Sequence, residues 1–446
     1  MTFSDRTSQF TNVMDAMIAA GGRIYYFVVD YNAKHPFWDK VLYAFKQMFM
    51  IAGDQLLIVD VPLQYANKSE FAGINALIDR FCFECQGIIK HVNPDGSDSP
   101  IYQHAGIFID GCSEGTLPYK DKALAEGKII VGADDVISDF WECPFLTKSG
   151  IRKPLISICI PTYNRSKSLK ITLDSIISQP EFKQGLVEIV ISDNCSSDET
   201  ELIVKSYAEK YEMIKYFRNG VNVTGANFNL ALVRAKGLLR KLNNDTCIIY
   251  DNGLSYLCEM AMKYAYIKPL MYFGNVPDTV GNGENILLRH QFLMKETFHI
   301  TWIASFAIWD EDCIGIENEY IEGEQFWHVR KMMELLEKRK AVAACDKMIM
   351  GAMIDDKHYS GQWLWDVFHD DFFDIVGGYL SQQDREMIEM DLLFNHFGLV
   401  KRAHELYPNS LKLDDDFDDV MAEHYLDKPY WKDYIRIFGG RDRNKN

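Results

Sequence analysis

The sequence predicts an α/β protein in which strands alternate with helices around mostly parallel sheets. Short runs rich in isoleucine and valine end abruptly in small polar residues. Ile156–Ile160 precedes Pro161-Thr-Tyr-Asn-Arg165, and Glu188–Ser192 precedes Asp193-Asn-Cys-Ser-Ser-Asp198. Segments of helical period separate these runs. The composition, 48% hydrophobic and 25% charged over 446 residues, is that of a soluble globular chain too long for one ordinary core. Ligands of open α/β sheets bind beyond the carboxyl ends of the strands, so two strands are expected to deliver polar groups to one crevice.

The first 150 residues alternate in the same way. Phe10–Ala20 reads as an amphipathic helix, Arg23–Asp30 as a buried strand and Phe37–Met50 as a helix. Gln55–Val61, Ala105–Asp110 and Lys128–Gly132 read as further strands, and Ile78–Gln86 as helix. Asp30, Asp60, Asp110, Asp134 and Asp135 close or follow these strands. Aspartate is frequent in turns and caps for its own hydrogen bonding, which is the preferred reading over a second site. Neither G-x-G-x-x-G nor G-x-x-x-x-G-K-S/T occurs in this region, so its role is unassigned. Phe145–Lys153 changes composition and marks a boundary.

Beyond Pro154 the pattern strengthens. Ser168–Ser178 is helix, closed by Gln179-Pro180, and Asp198–Glu212 is helix behind a Ser-Ser-Asp-Glu cap. Ile214–Phe217 is a short strand, Ala226–Lys236 a helix ended by Gly237, and Thr246–Tyr250 a further apolar segment. Lys331–Lys340 opens a mostly helical, acidic region in which Leu413–Val420 reads as a solvated helix start and Gly439–Asn446 as a tail. The expected division is a small α/β domain over 1–150, a second α/β domain over 154–340, and a helical extension over 341–446 packed on it.

Four ordered pieces carry a resemblance. Ile158-Cys-Ile-Pro-Thr-Tyr-Asn-Arg165 and Glu188–Asp198 are followed by Asn222-Val-Thr-Gly-Ala-Asn227, whose helix ends in Ala-Lys-Gly237, and by Asn243-Asn-Asp245. Together they resemble the family 2 glycosyltransferases of the GT-A fold, of the bacterial surface-polysaccharide type. Tyr320–Val329 is similar to a late acceptor-side segment of that family. The resemblance covers about 154–340. It implies a GT-A domain, with a mixed, mostly parallel sheet between helices.

It further implies an inverting, hexosyltransferase-like enzyme that moves a sugar from a nucleotide-sugar donor, a UDP-sugar, to a hydroxyl of a growing capsule or O-antigen glycan. The implied nucleotide contacts are Pro161, Thr162, Tyr163, Asn164, Arg165, Asp193, Asn194, Asn222, Gly225, Asn227, Asn243 and Asn244. The family's D-x-D motif grips a divalent ion, Mn2+ or Mg2+, on the diphosphate. Here the triplet is Asn-Asn-Asp, so Asp245 is the expected ligand, Asn243 adds a neutral oxygen, and His328 is a further candidate. Glu324 is the expected base for the acceptor hydroxyl, with Glu322 and Asp310 as rivals. The reduced triplet also fits a non-catalytic sugar-nucleotide-binding or scaffold subunit. Trp302, Trp309 and Trp327 are either a sugar platform or core.

A formal charge of -17 argues against nucleic acid and anionic membranes as general partners, while leaving room for a local phosphate pocket. Met1–Ser8 lacks a basic start followed by an apolar run, and no apolar stretch is long enough to cross a membrane. A cytoplasmic protein is expected, with an oligosaccharide or lipid-linked acceptor reached at the inner membrane face. Peripheral membrane association and a homo-oligomer stay open. The 10 cysteines read as core thiols, in preference to a zinc site at Cys82, Cys85, Cys112 and Cys143.

Overall fold

A computed structural model describes residues 14, 18–19, 21–33, 37–52, 55–94, 96–111, 113–133, 146–147, 150–151, 153–274, 284–353 and 357–439. The Phe10–Ala20 helix, Asp134, Asp135, Cys112, Cys143 and most of the C-terminal tail lie wholly or largely outside them.

The first sheet comprises β1 (Arg23–Val28), β2 (Gln55–Pro62), β3 (Ile88–Asn93), β4 (Ile107–Asp110) and β5 (Ile129–Gly132). Its order is β3-β2-β1-β4-β5, and every pairing is parallel. Tyr25, Phe27, Leu57 and Val59 face one apolar layer, and Ile24, Tyr26, Val28 and Phe108 the other. The strand-end aspartates make local contacts. Asp30 accepts the amides of Asn32 and Gly115 at 3.0 and 3.2 Å, Asp110 accepts from Lys120 at 2.6 Å, and buried Asp60 accepts from Asn93 at 2.8 Å. A small ladder of β6 (Leu146–Thr147) and β7 (Gly150–Ile151) follows.

The second sheet contains β8 (Ile156–Thr162), β9 (Val187–Asp193), β10 (Ile214–Arg218) and β11 (Leu239–Leu242). After β12 (Cys247–Ile249) it continues with β13 (Leu270–Phe273), β14 (Glu284–Leu287), β15 (Phe306–Trp309) and β16 (Val342–Cys345). Eight strands run in the order β10-β9-β8-β11-β15-β13-β16-β14. Four neighbouring pairs are parallel and three antiparallel. This is the mixed, mostly parallel α/β sheet that the sequence implies.

Every residue of β8 and β9 is buried, which explains their continuous apolar runs. The strand pleat sends Ile156, Ile158 and Ile160 to one layer and Cys159 to the other. Helix Ser166–Ile177 covers the first layer with Leu169, Leu173 and Ile176. Helix Trp327–Arg339 covers the second with Val329, Met332 and Leu336. The first layer is continuous with one face of the N-terminal sheet, and the second with the C-terminal helices.

Within the apolar segment Thr246–Tyr250, β12 pairs antiparallel with Met350–Ala352, outside the main sheet. One expectation is corrected. The helix expected over Asp198–Glu212 spans Thr200–Ala208, because Asp198 instead bonds back to the amides of Ser166 and Thr200.

Candidate functional site

β8 and β9 end side by side, with Thr162 opposite Asp193. β11 flanks β8 on its other side, and the Asn243 amide donates to the Cys159 carbonyl at 2.9 Å. Three polar turns, 161–165, 193–198 and 243–245, therefore leave the sheet at one end. The first two are clasped. The Asn164 amide donates to Ser196 Oγ at 2.9 Å, and Asn164 Oδ1 accepts the Ser197 amide at 2.7 Å. Asn164 and Cys195 take left-handed conformations, with φ of 51° and 66°.

Behind this surface lies a network of amides. Asn194 Oδ1 accepts from the Val223 amide and from Asn219, and its Nδ2 donates to Asn222 Oδ1. Asn227 donates to the Ser192 carbonyl and accepts from Ser192 Oγ and Asn219 Nδ2. Arg234 donates to Ser192 Oγ at 2.6 Å and to Asn219 Oδ1 at 2.8 Å. Asp193 accepts from the Ser196 amide at 2.9 Å and from the Tyr216 hydroxyl at 2.6 Å.

This corrects part of the expected nucleotide set. Asp193 and Asn243 are 0% exposed and Asn227 3% exposed, so they hold the turns from behind and present no surface to a ligand. Pro161, Thr162 and Asn194 are also buried, and Asn244 is half-buried. Tyr163, Asn164 and Asn222 are exposed, and Arg165 and Gly225 are half-buried.

The expected metal ligands are not gathered. Asn243 points inward, its Nδ2 donating to the carbonyls of Asn244 and Cys247 at 2.9 and 3.0 Å. Its Oδ1 faces the fully buried Lys241 Nζ at 3.5 Å. Desolvation pushes Lys241 down to about 8, and its ammonium donates to the Ala304 carbonyl at 2.6 Å. Asp245 Oδ2 accepts from Thr162 Oγ1 at 2.8 Å, and Arg165 Nη1 lies 3.9 Å from Asp245 Oδ1.

His328 is buried elsewhere, its Nε2 donating to the Thr301 carbonyl at 2.9 Å, and burial pushes it down to about 4. Among the described residues no group of three His, Cys, Asp or Glu side chains is placed to hold an ion. Among the described residues, this donor set of one carboxylate, an amide turned away and nearby cationic side chains does not fit a resident divalent ion.

The three candidate bases separate. Glu324 lines a cavity of about 280 Å³ beside Thr224, Gly225, Tyr320 and Trp327. Arg330 grips its two oxygens at 2.6 and 3.0 Å. Glu322 is exposed on the same segment. Asp310 lies at the opposite end of the sheet, where its amide bonds Leu238 and its carboxylate pairs with Lys153 and Lys268.

The tryptophans form no common platform. Trp309 belongs to the first core layer and Trp302 packs against that layer, whereas Trp327 belongs to the second. The buried indole N–H of Trp327 has no acceptor among the described residues. Sequence reasoning missed Tyr320, whose ring blocks any Cβ at Gly225 and whose hydroxyl meets Thr224 Oγ1 at 3.2 Å. It also missed Arg330, one helical turn into Trp327–Arg339 and six positions after Glu324.

Residues 157–252 match the glycosyl transferase family 2 sequence model. The abequosyltransferase RfbV of Salmonella typhimurium is 44% identical over 99 residues, which cover 22% of this chain and 28% of that protein. The GalNAc(5)-diNAcBac-PP-undecaprenol beta-1,3-glucosyltransferase of Campylobacter jejuni is 34% identical over 125 residues, or 27% of this chain and 38% of that one. The chain thus spans well under half the length of these relatives.

The S. aureus TarS 1–349 crystal structure aligns with a TM-score of 0.41 at 17% identity, covering 64% of this chain and 80% of that one. The mannosyltransferase PcManGT of Pyrobaculum calidifontis, in complex with GDP-Man and Mn2+, aligns with a TM-score of 0.40 at 14% identity, covering 63% and 83%. The segment that matches the glycosyl transferase family 2 model contains β8 to β11, both clasped turns and the asparagine network.

Proposed function

We propose that the chain is an inverting glycosyltransferase that moves a sugar from a UDP-sugar to a hydroxyl of a growing bacterial surface glycan. The observation that carries the reading is the convergence of the 161–165, 193–198 and 243–245 turns at one sheet end, inside the family-matched segment. Two relatives support the glycan class by name, an abequosyltransferase and a glucosyltransferase of an undecaprenol-linked glycan. An acceptor of that kind would be met at the inner face of the cytoplasmic membrane. No helix among the described residues is long and apolar enough to cross a membrane.

In this reading the exposed Tyr163–Arg165 turn takes the nucleotide, and the Glu324 cavity takes the sugar ring at the reacting end. The acceptor oxygen attacks the anomeric carbon from the face opposite the diphosphate. The carbon–oxygen bond to the diphosphate breaks, and the acceptor proton passes to Glu324. Arg330 fixes the orientation of that carboxylate, and the Trp327 N–H, which has no acceptor among the described residues, is a donor for a sugar hydroxyl. Residues 341–446 act as an extension packed on the transferase domain.

Release of nucleoside diphosphate from a panel of nucleotide sugars tests the proposal. Turnover of one donor supports it; absence of turnover and of nucleotide binding across the panel rejects it. A second reading, a sugar-nucleotide-binding scaffold, is favoured by the single carboxylate of the Asn-Asn-Asp triplet. It requires nucleotide binding without transfer.

A further inference from the structure

Beneath the 243–245 turn lies a buried charge without a counter-charge. Lys241, on β11, has no exposed surface. Its ammonium donates to the carbonyls of Ala304 at 2.6 Å and Leu242 at 3.1 Å and faces Asn243 Oδ1 at 3.5 Å, all of them neutral acceptors. Among the described residues no carboxylate pairs with it. The titratable groups that face it are the thiols of Cys159 and Cys247, which burial keeps protonated. A buried ion is costly unless its charge is compensated, and hydrogen bonds to neutral oxygens leave the net charge in place. On one side the ammonium meets Asn243, in the turn that Thr162 ties to the 161–165 turn. On the other it meets Ala304, next to Ile303 in the wall of the Glu324 cavity. In the reading above, the first region takes the nucleoside and the second the sugar ring. The diphosphate that joins them crosses between the two, over Lys241.

Resting on the nucleotide-sugar reading above, we propose that the donor diphosphate is the missing counter-charge of Lys241, whose ammonium attracts it from beneath the 243–245 turn without touching it. Coulomb attraction falls only with the inverse of distance, and a group with no exposed surface is poorly screened by water and salt. The charge is also fixed in place: its three neutral acceptors hold the ammonium, so nothing has to be reorganised when the ligand arrives. The same ammonium repels a divalent ion brought to Asn243, whose oxygen it faces. Recognition of the diphosphate is therefore expected without a metal. A carboxylate at position 243 would supply the partner that Lys241 lacks and cancel the attraction.

Calorimetric titration of the full chain with UDP and with uridine, which lacks the diphosphate, tests the proposal in chelator and in manganese. In chelator the parent is expected to bind UDP about tenfold or more tightly than uridine, and manganese to change UDP affinity by less than about twofold. Lys241→Met keeps the length of the side chain and removes its charge. Asn243→Asp is nearly isosteric and neutralises the ammonium, so it decides if Lys241→Met fails to fold. Each variant is expected to reduce the preference for UDP over uridine in chelator to about threefold or less, with uridine bound as by the parent. Three results overturn the proposal: a parent that prefers UDP only in manganese, a folded variant that keeps the full preference in chelator, or variants that weaken uridine as much as UDP, which marks a structural role. If no nucleoside and no nucleoside diphosphate binds in either condition, the donor reading itself falls and takes this inference with it.

Discussion

Glu324 and Glu322 are two positions apart, yet only Glu324 faces the cavity beside Gly225 and Trp327. The guanidinium of Arg330 bonds both of its oxygens, and that bond in turn pushes Arg330 up. Glu324→Gln is therefore expected to lower transfer by at least about 100-fold, while Glu322→Gln stays within about twofold of the parent, as measured by initial rates of diphosphate release. His328 has a role in stability. Its folded value, about 4, lies below the unfolded 6.5, so the unfolded chain takes up the proton first as pH falls. The stabilisation is complete above about 6.5 and is lost on descending through about 4, a loss of about 3 kcal/mol. Denaturant unfolding across that window should show the loss, and His328→Gln should flatten it.

At the scale of elements, the turns are held by amide networks. Asn227 makes three bonds that tie helix Ala226–Val233 to the end of β9 and to Asn219. Its replacement by alanine leaves buried partners unpaired and is expected to cost about 2–3 kcal/mol by denaturant unfolding. The strands and their polar ends are legible in the sequence because buried parallel strands require continuous apolar runs. What each asparagine does at a strand end is not. Asn164, Asn222 and Asn243 look alike in sequence, yet two are exposed and one is sealed beneath Lys241. No strand is read from the sequence at β13 to β16.

For the whole molecule, the N-terminal sheet is joined to the rest by one continuous apolar layer. Arg80 crosses that junction. Buried in helix Ala72–Glu84, it donates to the carbonyls of Ile267, Lys268 and Arg339. Arg80→Met is expected to cost about 3 kcal/mol, read as a lower denaturation midpoint, because buried carbonyls lose their donor. That contact joins residues 187 and 259 positions apart, and no local pattern announces it. The order of the first sheet, β3-β2-β1-β4-β5, was likewise open until the pairings were known. The central claim is that the clasped turns of β8 and β9 form a nucleotide-sugar site. A crystal structure with UDP tests it most directly. The account predicts the uracil against Tyr163 and Asn164 and the diphosphate at the 243–245 turn; UDP bound at another face of the molecule, or no UDP at millimolar soak, would contradict it.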